Sequence, residues 1–548
     1  ANILFFPFRI IPSDTLELAG IALDGGRQLA RWISALVSDI PTGSGWVLST
    51  SIITSESNEI GPSFRPISRD IFPFSSLGIE RPTSWLRENR SDIIAFHDAL
   101  VSASKSYMWA DDKKNPKAKE IAHIGQGVDR IAGLLEKYLQ NEDQILALLW
   151  WEVPERFIVF NQNRDEIRAN GGFPGSILSF TTSYGNILDF RTDDVYYYDW
   201  NLYPAKEIPP PGLSLLTDNY GLRDVNYYPD FRDTLEKANT FIEKSGDATI
   251  TVGIALNQWI VEKILEKVGD VPVFIGGSGS VHSGSLITFT SKNFSSLMST
   301  LTEMRYGEKI TSKDTLFAFI YALALKIHEK RDYAEVIDIV EKSFSDGEIL
   351  IASRDDWLDR FLSKMRKPLP WEEINIWNSG SIFPSRNWIY PVLTSVSGNK
   401  SDRLMSRIYT SETRILPNCE YENTLVLTHT HGFNAGAKNE VESYLDFIGV
   451  KDPKEREKML FIQGNGANKT FLRIYTPLGS KLTQTSTGVD VSEDDQKTEF
   501  SFLLSTPVGW TTKKTFSYTF TVPDCQNQSS SARWYRQPWL QNTQMKSR

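Results

Sequence analysis

Two polar segments concentrate the side chains of this sequence that could bind an anion or a metal ion. The first, NQNRDEIRANGGFPGS (Asn161–Ser176), follows the apolar run FIVF and carries Arg164 and Arg168 ahead of Gly171 and Gly172. Glycines let backbone N–H groups approach an anion closely, and arginine adds charge-assisted, forked contacts. The segment is therefore a candidate anion-binding loop with Arg168, Gly171 and Gly172 at its centre.

The same segment also fits a plain turn. Asn170-Gly171 is a preferred pair for a tight β-hairpin, because both central residues of such a turn adopt positive φ. The glycines match neither the G-x-G-x-x-G fingerprint nor a Walker A loop, so there is no nucleotide-binding signature. From the residues alone we favour the turn and keep the bound anion as the second interpretation.

The second segment, YGLRDVNYYPDFRD, lies just before a predicted helix. Asp233 fits the N-cap of that helix, so capping and surface ion pairs explain part of the charge. They do not explain Arg223 and Asp224 beside Asn226. Arginine with Asp or Asn on a loop is a common way to hold a phosphate with a divalent cation. Arg223 and Arg232 therefore join Arg168 as anion-binding candidates.

Histidine and cysteine give weaker signals. His429 and His431 alternate in LTHTHGF and face the same side of a predicted strand, but no third metal ligand is evident. His282 lies in the Gly/Ser-rich loop GGSGSVHSGS, with no nucleophile tied to it. The two cysteines, Cys419 and Cys525, fit either one disulfide between two late strands or two buried thiols.

Length and charge narrow the class of protein. A chain of 548 residues predicts two to four domains. The 59 Lys and Arg residues against 68 Asp and Glu residues argue against a nucleic-acid partner, which needs a basic surface. The first residues lack the basic region and cleavage site of a signal peptide. Either the chain is cytoplasmic, or its numbering starts after a removed or omitted N-terminal segment, and the start at Ala1 without Met favours the second expectation.

The periodicity of apolar residues predicts an α/β multidomain protein. Residues 1–148 are mainly helical, with Ser91 as an N-cap candidate. Residues 149–370 alternate strands and helices, which predicts an α/β core with a helical extension. Residues 371–548 contain strands at turn-punctuated intervals, which predicts a β-sandwich-like C-terminal domain.

Several motifs resemble, in order and spacing, those of the DUF4012 family of uncharacterised bacterial, membrane-tethered proteins. They are FNQNRDEIRANGGFPGS, DVYYYDW, PPPGLSLL, LRDVNYYPDF, GIALNQWIVEKILEKVGDV and the late segment SVSGNKSDRLMSR (Ser395–Arg407). The sequence also departs from the family pattern: Ala169-Asn170 stands for Pro-Thr, and Asn257 stands for an Asp. The second departure weakens any mechanism that needs a carboxylate at position 257.

The resemblance implies an α/β core distantly similar to the LytR–CpsA–Psr enzymes, which transfer lipid-linked glycopolymers to the cell wall. Such enzymes hold a pyrophosphate and Mg²⁺ with arginines and acidic residues. Carried over to matching positions, the arginines are Arg168 and Arg223, and the magnesium ligands are Glu166, Asp224 and Asp230. Mg²⁺ is the one cofactor that this set implies.

Three functions follow as expectations, with no nucleophile or general base named for any of them. The preferred one is an extracytoplasmic, membrane-tethered cell-envelope protein with a structural or binding role, whose partner is an envelope glycan or a lipid-linked polymer. The first alternative is a LytR–CpsA–Psr-like phosphotransferase acting on a lipid-pyrophosphate-linked glycopolymer. The second alternative is a carbohydrate-binding surface module that uses exposed tryptophans. A convergence of Arg168, Arg223, Asp224 and Asp230 around one pocket would favour a site over a scaffold.

Overall fold

The computed structural model describes most of the chain from residue 82 onward. The described residues are 82–109, 128–129, 131–148, 154–184, 186–202, 207–275, 285–304, 312–330, 333–364, 367–372, 387–485, 488–522, 531–540 and 542–547. The chain divides into two compact units, Ala1–Phe157 with Ser179–Arg191, and Ile158–Leu178 with Thr192–Arg548. Every residue of the candidate site lies in the second unit.

The first unit contains helices, as the sequence predicts. They are Pro82–Glu88, Arg90–Trp109, residues 131–140 and Glu142–Leu148. Ser91 lies inside a helix that begins at Arg90, so the prediction of Ser91 as its N-cap is wrong. None of the described helices is long and apolar enough to cross a membrane.

The second unit combines strands and helices, and the first three strands reach into both units. In chain order the strands are β1 Glu155–Arg168, β2 Gly171–Ser183, β3 Asn186–Asp194, β4 Val252–Asn257, β5 Val271–Ile275, β6 Ser285–Phe289, β7 Ile349–Ser353, β8 Trp388–Ser395, β9 Met405–Leu416, β10 Glu420–His431, β11 Asn468–Pro477, β12 Lys481–Thr485, β13 Asp490–Glu493, β14 Lys497–Thr506, β15 Thr511–Thr521, β16 Arg533–Trp534 and β17 Thr543–Ser547. The helices are Val195–Asn201, Phe231–Lys244, Gln258–Val268, Phe294–Met304, Ser312–Lys330, Tyr333–Asp346, Asp356–Leu362, Ala435–Phe447 and Pro453–Ile462.

A five-stranded sheet of order β3-β2-β1-β4-β7 carries the first polar segment. The helix Phe231–Lys244 contacts β7, because Phe231, Leu235, Ala238 and Ile242 recur at helical spacing and are all buried. Asp230, not Asp233, caps this helix by accepting a hydrogen bond from the Arg232 backbone N–H at 2.9 Å. The N-cap prediction was therefore three residues late.

The helix Gln258–Val268 is bounded at both ends by capping residues. Asn257 caps the helix Gln258–Val268 through its side-chain oxygen, which accepts from the Trp259 N–H. The helix ends at Gly269, whose φ of +86° is a conformation that favours glycine. Asn257 thus has a structural role at the position where the family pattern places an Asp.

Two further five-stranded sheets form the C-terminal part, with orders β12-β15-β10-β9-β17 and β13-β14-β11-β8-β16. Both are mixed, because β17 runs parallel to β9 and β16 parallel to β8, while the other described pairs are antiparallel. Buried side chains from the two sheets share one hydrophobic cluster, in which Phe500 contacts Phe516. The sandwich arrangement itself stays a prediction, as do the predicted domain boundaries.

The C-terminal part also contains two helices that the sequence did not predict. Ala435–Phe447 and Pro453–Ile462 lie between β10 and β11, and their buried residues join the cluster that contains the helix Phe294–Met304. Their side chains are mostly exposed, so the apolar stripe that indicates a helix is short. The sequence interpretation assigned this region to strands alone.

Candidate functional site

The polar segment that follows FIVF forms a hairpin, as the turn interpretation predicts, but the predicted central pair Asn170-Gly171 is wrong by one residue, because Gly171 already belongs to the second strand and Asn170 does not adopt positive φ. Strand β1 ends at Arg168 and β2 begins at Gly171, so Ala169 and Asn170 form the two-residue connection. The Asn170 amide donates to the Tyr228 carbonyl at 2.7 Å and to Thr234 Oγ1 at 2.6 Å. The turn is thereby fixed to the second polar segment and to the helix that follows it.

The two glycines pack against protein. At Gly171, φ is +118°, and a Cβ would lie 2.0 Å from the Trp539 indole ring. Gly172 donates its N–H to Gln162 Oε1 at 3.1 Å, and its carbonyl accepts from the Asn226 amide at 2.9 Å. The glycine pair therefore permits close packing with Trp539 and does not form an open cradle of backbone N–H groups.

Arg168 is buried, with 1% of its surface exposed. Its guanidinium lies 3.4 Å from Asp224 Oδ1 and donates to the Ile167 carbonyl at 3.3 Å. The ring of Phe173 lies 5.6 Å from its central carbon. The Arg168 backbone carbonyl accepts from the side chain of Gln537, 369 residues later in the chain. Protein groups surround this cation.

Arg223 reaches the same carboxylate from the other side. Its Nε lies 3.3 Å from Asp224 Oδ2 and 3.8 Å from Asp199 Oδ2, and its Nη2 donates to Thr217 Oγ1 at 2.8 Å. About a quarter of the Arg223 side chain, 26%, is exposed. Arg168 and Arg223 thus do meet, and the group between them is Asp224.

Asp199 extends this row of charges. Its Oδ1 accepts the Leu222 backbone N–H at 2.6 Å. Burial raises the pKa of Asp199 from 3.8 to about 6, although the Leu222 N–H and the Arg223 charge oppose the shift. Asp199 was not among the residues selected from the sequence; it lies in the motif DVYYYDW, but nothing in the spacing tied it to Arg223.

The remaining predicted residues lie in separate interactions. Asp230 caps the helix Phe231–Lys244, and the Arg232 guanidinium contacts Asp356 at 2.5 Å and Asp359 at 3.4 Å. Glu166 lies 3.2 Å from the ammonium of Lys400, which also contacts Glu303 at 2.7 Å. Burial lowers the pKa of Lys400, but its two carboxylate partners outweigh this and raise it.

The predicted magnesium ligands do not fit one shared ion. Glu166 is paired with Lys400, Asp224 with two arginines, and Asp230 with a helix N-terminus. Within the described ranges, no group of three or more His, Cys, Asp or Glu side chains could hold a metal. We therefore derive no step through Mg²⁺.

A second cluster lies where the first polar segment meets the late segment Ser395–Arg407. The Ile167 N–H donates to Asp402 Oδ2 at 3.4 Å, and Arg407 is ion-paired with Asp402 Oδ1. A small cavity opens beside this contact, with room for about one water-sized atom. The residues that line it are Arg164, Asp165, Ile167, Asp402, Arg403, Arg407 and Trp539.

Several polar atoms of this cavity cluster are buried and have no hydrogen-bond partner among the described residues. The donors are Arg164 Nε and Nη1, Arg403 Nε and Arg407 Nε, and the acceptor is Asp165 Oδ2. Sequence reasoning noted Arg164 and quoted the segment that holds Asp402, Arg403 and Arg407. It did not join the two, because they are more than 200 residues apart and no local pattern brings them together.

Comparison with known families identifies the central part of the chain. The family model described as a protein of unknown function (DUF4012) matches residues 152–294. This stretch belongs to the DUF4012 family. The DUF4012 match covers Arg164, Arg168, Arg223 and Asp224, whereas the late segment Ser395–Arg407 lies outside it.

Other comparisons add little to the DUF4012 match. No curated protein matches the chain. Among solved structures, the Lin1025 protein from Listeria innocua is similar, with 11% identity over 38% of this chain and 76% of its own, at a TM-score of 0.22. A likeness this weak carries no argument about fold or function.

The histidine and cysteine candidates have structural surroundings. His429 and His431 share one buried face of β10, as predicted; His429 bonds the Tyr409 hydroxyl at 2.7 Å, and His431 bonds the Gly466 carbonyl at 2.9 Å. Burial lowers the pKa of both imidazoles. Cys419 is disulfide-bonded. Cys525 and His282 lie outside the described residues.

Proposed function

We propose that this chain is an extracytoplasmic protein of the cell envelope with a structural or binding role. The observation that supports this role is the closed pairing of Arg168 with Asp224. Both side chains are almost fully buried, and their charges are directed at each other. A catalytic arginine that grips a pyrophosphate needs free donors facing an open site, because it acts on charge that develops in the substrate. Here Nη1 and Nη2 of Arg168 are engaged by the Ile167 carbonyl and Asp224, and Nε is buried away from any open site.

The disulfide bond of Cys419 supports the extracytoplasmic location. Disulfides persist in oxidising compartments and are rare in the cytosol, where thiols are kept reduced. Cys419 lies in the short turn between β9 and β10, and the chain has only one other cysteine, Cys525. The disulfide bond of Cys419 therefore favours a protein that matures outside the cytosol.

Fractionation of cells that express the full-length protein tests the location. We expect the protein in the envelope fraction, sensitive to protease added to intact cells and with both cysteines oxidised. A cytosolic reference enzyme in the same cells must stay protected from the protease. Recovery in the cytosol with both thiols free would contradict the proposal.

A LytR–CpsA–Psr-like phosphotransferase is the second candidate, and the exposure of Arg223 is the observation that favours it. With 26% of its side chain in solvent and Asp199 beside it, Arg223 could still contact a pyrophosphate. Binding of polyprenyl pyrophosphate to Arg223→Ala and to the wild type separates the two proposals. The control is Arg354→Ala, which removes a similarly exposed arginine paired with Glu236 and Glu243.

The result has opposite meanings for the two proposals. A transferase should bind the lipid and lose most of that binding in Arg223→Ala but not in Arg354→Ala. The envelope role without transfer predicts no difference between the wild type and either variant.

A carbohydrate-binding role is a third candidate, supported by exposed tryptophans. Trp510, at the connection of β14 and β15, is 67% exposed, and Trp200 is 66% exposed. Aromatic rings in solvent present flat apolar faces that can stack on sugar rings. Pull-down with purified cell-wall polysaccharide should weaken for Trp510→Ala if this surface binds glycan. Equal retention of the wild type and the variant argues against it.

A further inference from the structure

We propose that the cavity lined by Arg164, Asp165, Asp402, Arg403 and Arg407 binds a protonated phosphate group through one of its oxygens. This site is distinct from the Arg168–Asp224–Arg223 row. Phosphate binding at this site is independent of the proposed cellular location, because it requires only the folded chain.

The hydrogen-bonding atoms of the cavity cluster point to an acceptor-rich ligand. Three guanidinium groups contribute buried N–H donors that no described residue accepts from, on Arg164, Arg403 and Arg407. Unpartnered buried donors are costly, and buried guanidinium donors are normally paired with carboxylate, phosphate or carbonyl oxygens. An oxyanion supplies such oxygens in a single group.

The guanidinium groups are held in place by their other contacts. Arg164 Nη2 contacts Glu262 at 3.1 Å, Arg403 Nη2 donates to the Gln463 carbonyl at 3.0 Å, and Arg407 is ion-paired with Asp402. Arg403 and Arg407 thus use one end of the planar fork for the protein and keep Nε for another partner, whereas Arg164 Nε also lies 3.9 Å from Asp165 Oδ1. Fixed donors of this kind bind at a small entropic cost, because little side-chain freedom remains to be lost.

The acidic residues of the cluster select the protonation state of the ligand. Asp402 is neutralised by Arg407 and also accepts from Asn468 at 3.2 Å. Asp165 is 2% exposed, and its Oδ2 has no hydrogen-bond donor among the described residues. A fully ionised oxyanion would be repelled by this oxygen, whereas a P–O–H group donates to it. Phosphate carries such a proton near neutral pH and sulfate does not.

The lining charges agree with a ligand of low charge. Three arginines and two aspartates leave an excess of one positive charge in the lining, and Glu262, which is paired with Arg164, offsets that charge. The space admits about one oxygen-sized atom, so only one oxygen of a phosphate group could enter the cavity. This oxygen can accept from a guanidinium and donate to Asp165 at the same time.

Calorimetric titration of the folded chain with inorganic phosphate tests the site, at an ionic strength held constant with chloride. We expect saturable binding of phosphate and binding of sulfate at least about ten-fold weaker, the difference of one hydrogen bond to a charged group. Glycerol 3-phosphate forms a third arm. Binding equal to that of phosphate identifies the terminal phosphate of a larger molecule as the ligand, and selective binding of inorganic phosphate identifies the free ion.

Three substitutions locate the binding. Arg164→Gln and Arg403→Gln each remove donors of partly exposed side chains and should weaken phosphate binding by about ten-fold or more. Asp165→Asn should raise the affinity for sulfate relative to phosphate. Arg414→Gln is the matched control, because Arg414 is 70% exposed and its ion-pair partner is the exposed Glu412 on β9.

The outcomes decide the inference. Absence of saturable phosphate binding to the wild type, or wild-type affinity in both Arg164→Gln and Arg403→Gln, would overturn it and leave a cavity that holds only water. Should either variant fail to fold, as judged by circular dichroism, the comparison of phosphate with sulfate on the wild type decides alone.

Discussion

The guanidinium of Arg168 lies 3.4 Å from the carboxylate of Asp224, and each side chain is at most 2% exposed. Removing one partner of such a pair leaves an uncompensated buried charge, which costs about 3–5 kcal/mol. We therefore expect Asp224→Ala to lower the free energy of unfolding by this amount in urea denaturation. The double variant Arg168→Met with Asp224→Ala should recover part of the loss, because it removes both charges.

The exposed pair Arg414–Glu412 is the control for this measurement. Both side chains are more than half exposed, so Glu412→Ala should change the free energy of unfolding by less than about 1 kcal/mol. If Asp224→Ala had an effect as small as Glu412→Ala, the pair would have no structural role, and the support for the proposed function would be lost.

Gly171 should tolerate no side chain. A Cβ at this position would lie 2.0 Å from the Trp539 ring, and φ is +118°. Gly269 also has positive φ, +86°, but nothing lies within 4 Å of its Cβ position. We expect Gly269→Ala to cost about 1 kcal/mol through backbone strain alone, and Gly171→Ala to cost at least about 3 kcal/mol because overpacking is added. Thermal denaturation of the two variants measures the difference.

Asp199 should give the protein a specific dependence on pH. Its pKa is about 6 in the folded chain and 3.8 ordinarily, so the folded state binds this proton more tightly than the unfolded state. The resulting stabilisation is complete below the unfolded value and is lost as pH rises through about 6. Asp199→Asn should abolish it while retaining an acceptor for the Leu222 N–H.

The difference between the wild type and Asp199→Asn isolates this group from the other carboxylates. Between pH 7 and pH 4, the wild type should gain about 2 kcal/mol of unfolding free energy relative to the variant. A difference that does not change over this interval would show that Asp199 titrates normally.

The disulfide of Cys419 should contribute measurably to stability. Reduction with dithiothreitol should lower the free energy of unfolding by about 2–4 kcal/mol, because the unfolded chain loses a covalent constraint. Cys419→Ser, Cys525→Ser and the double variant should show the same loss, since each removes the one bond. Additive losses would indicate that the two cysteines are not partners.

Local patterns predicted much of the fold. The alternation in β10 is encoded within a few residues, and the strand appears as expected, with His429 and His431 on one buried face. The helices Ala435–Phe447 and Pro453–Ile462 were missed because they bury only short apolar stripes. The N-cap of the helix Phe231–Lys244 is Asp230 and not the predicted Asp233. An acidic residue is favourable both at the N-cap and in the first turn, so the sequence alone does not separate the two positions.

The site was less accessible to sequence reasoning. Arg168 and Arg223 were both selected and do approach one carboxylate, but their burial depends on packing that no local pattern records. Glu166 was predicted as a magnesium ligand, but in the fold it is ion-paired with Lys400, which lies more than 200 residues later in the chain. The cavity cluster joins β1 to the late segment through contacts that span more than 200 residues, and a single sequence does not encode such pairings in its periodicity.

The hairpin of β1 and β2 can reach its final packing only after Gln537 and Trp539 have been synthesised. The Gln537 amide bonds the carbonyls of Arg168 and Leu393, and the Trp539 ring covers Gly171. A chain is synthesised from its N-terminus, so the hairpin leaves the ribosome some 370 residues before the side chains that complete it. Before residues 537–539 are synthesised, the Arg168 carbonyl lacks its bond from Gln537 and Gly171 lacks its contact with Trp539. The hairpin is then a partly folded intermediate. Translation pauses or chaperones that act on the last tenth of the chain would therefore control when the first polar segment reaches its final form.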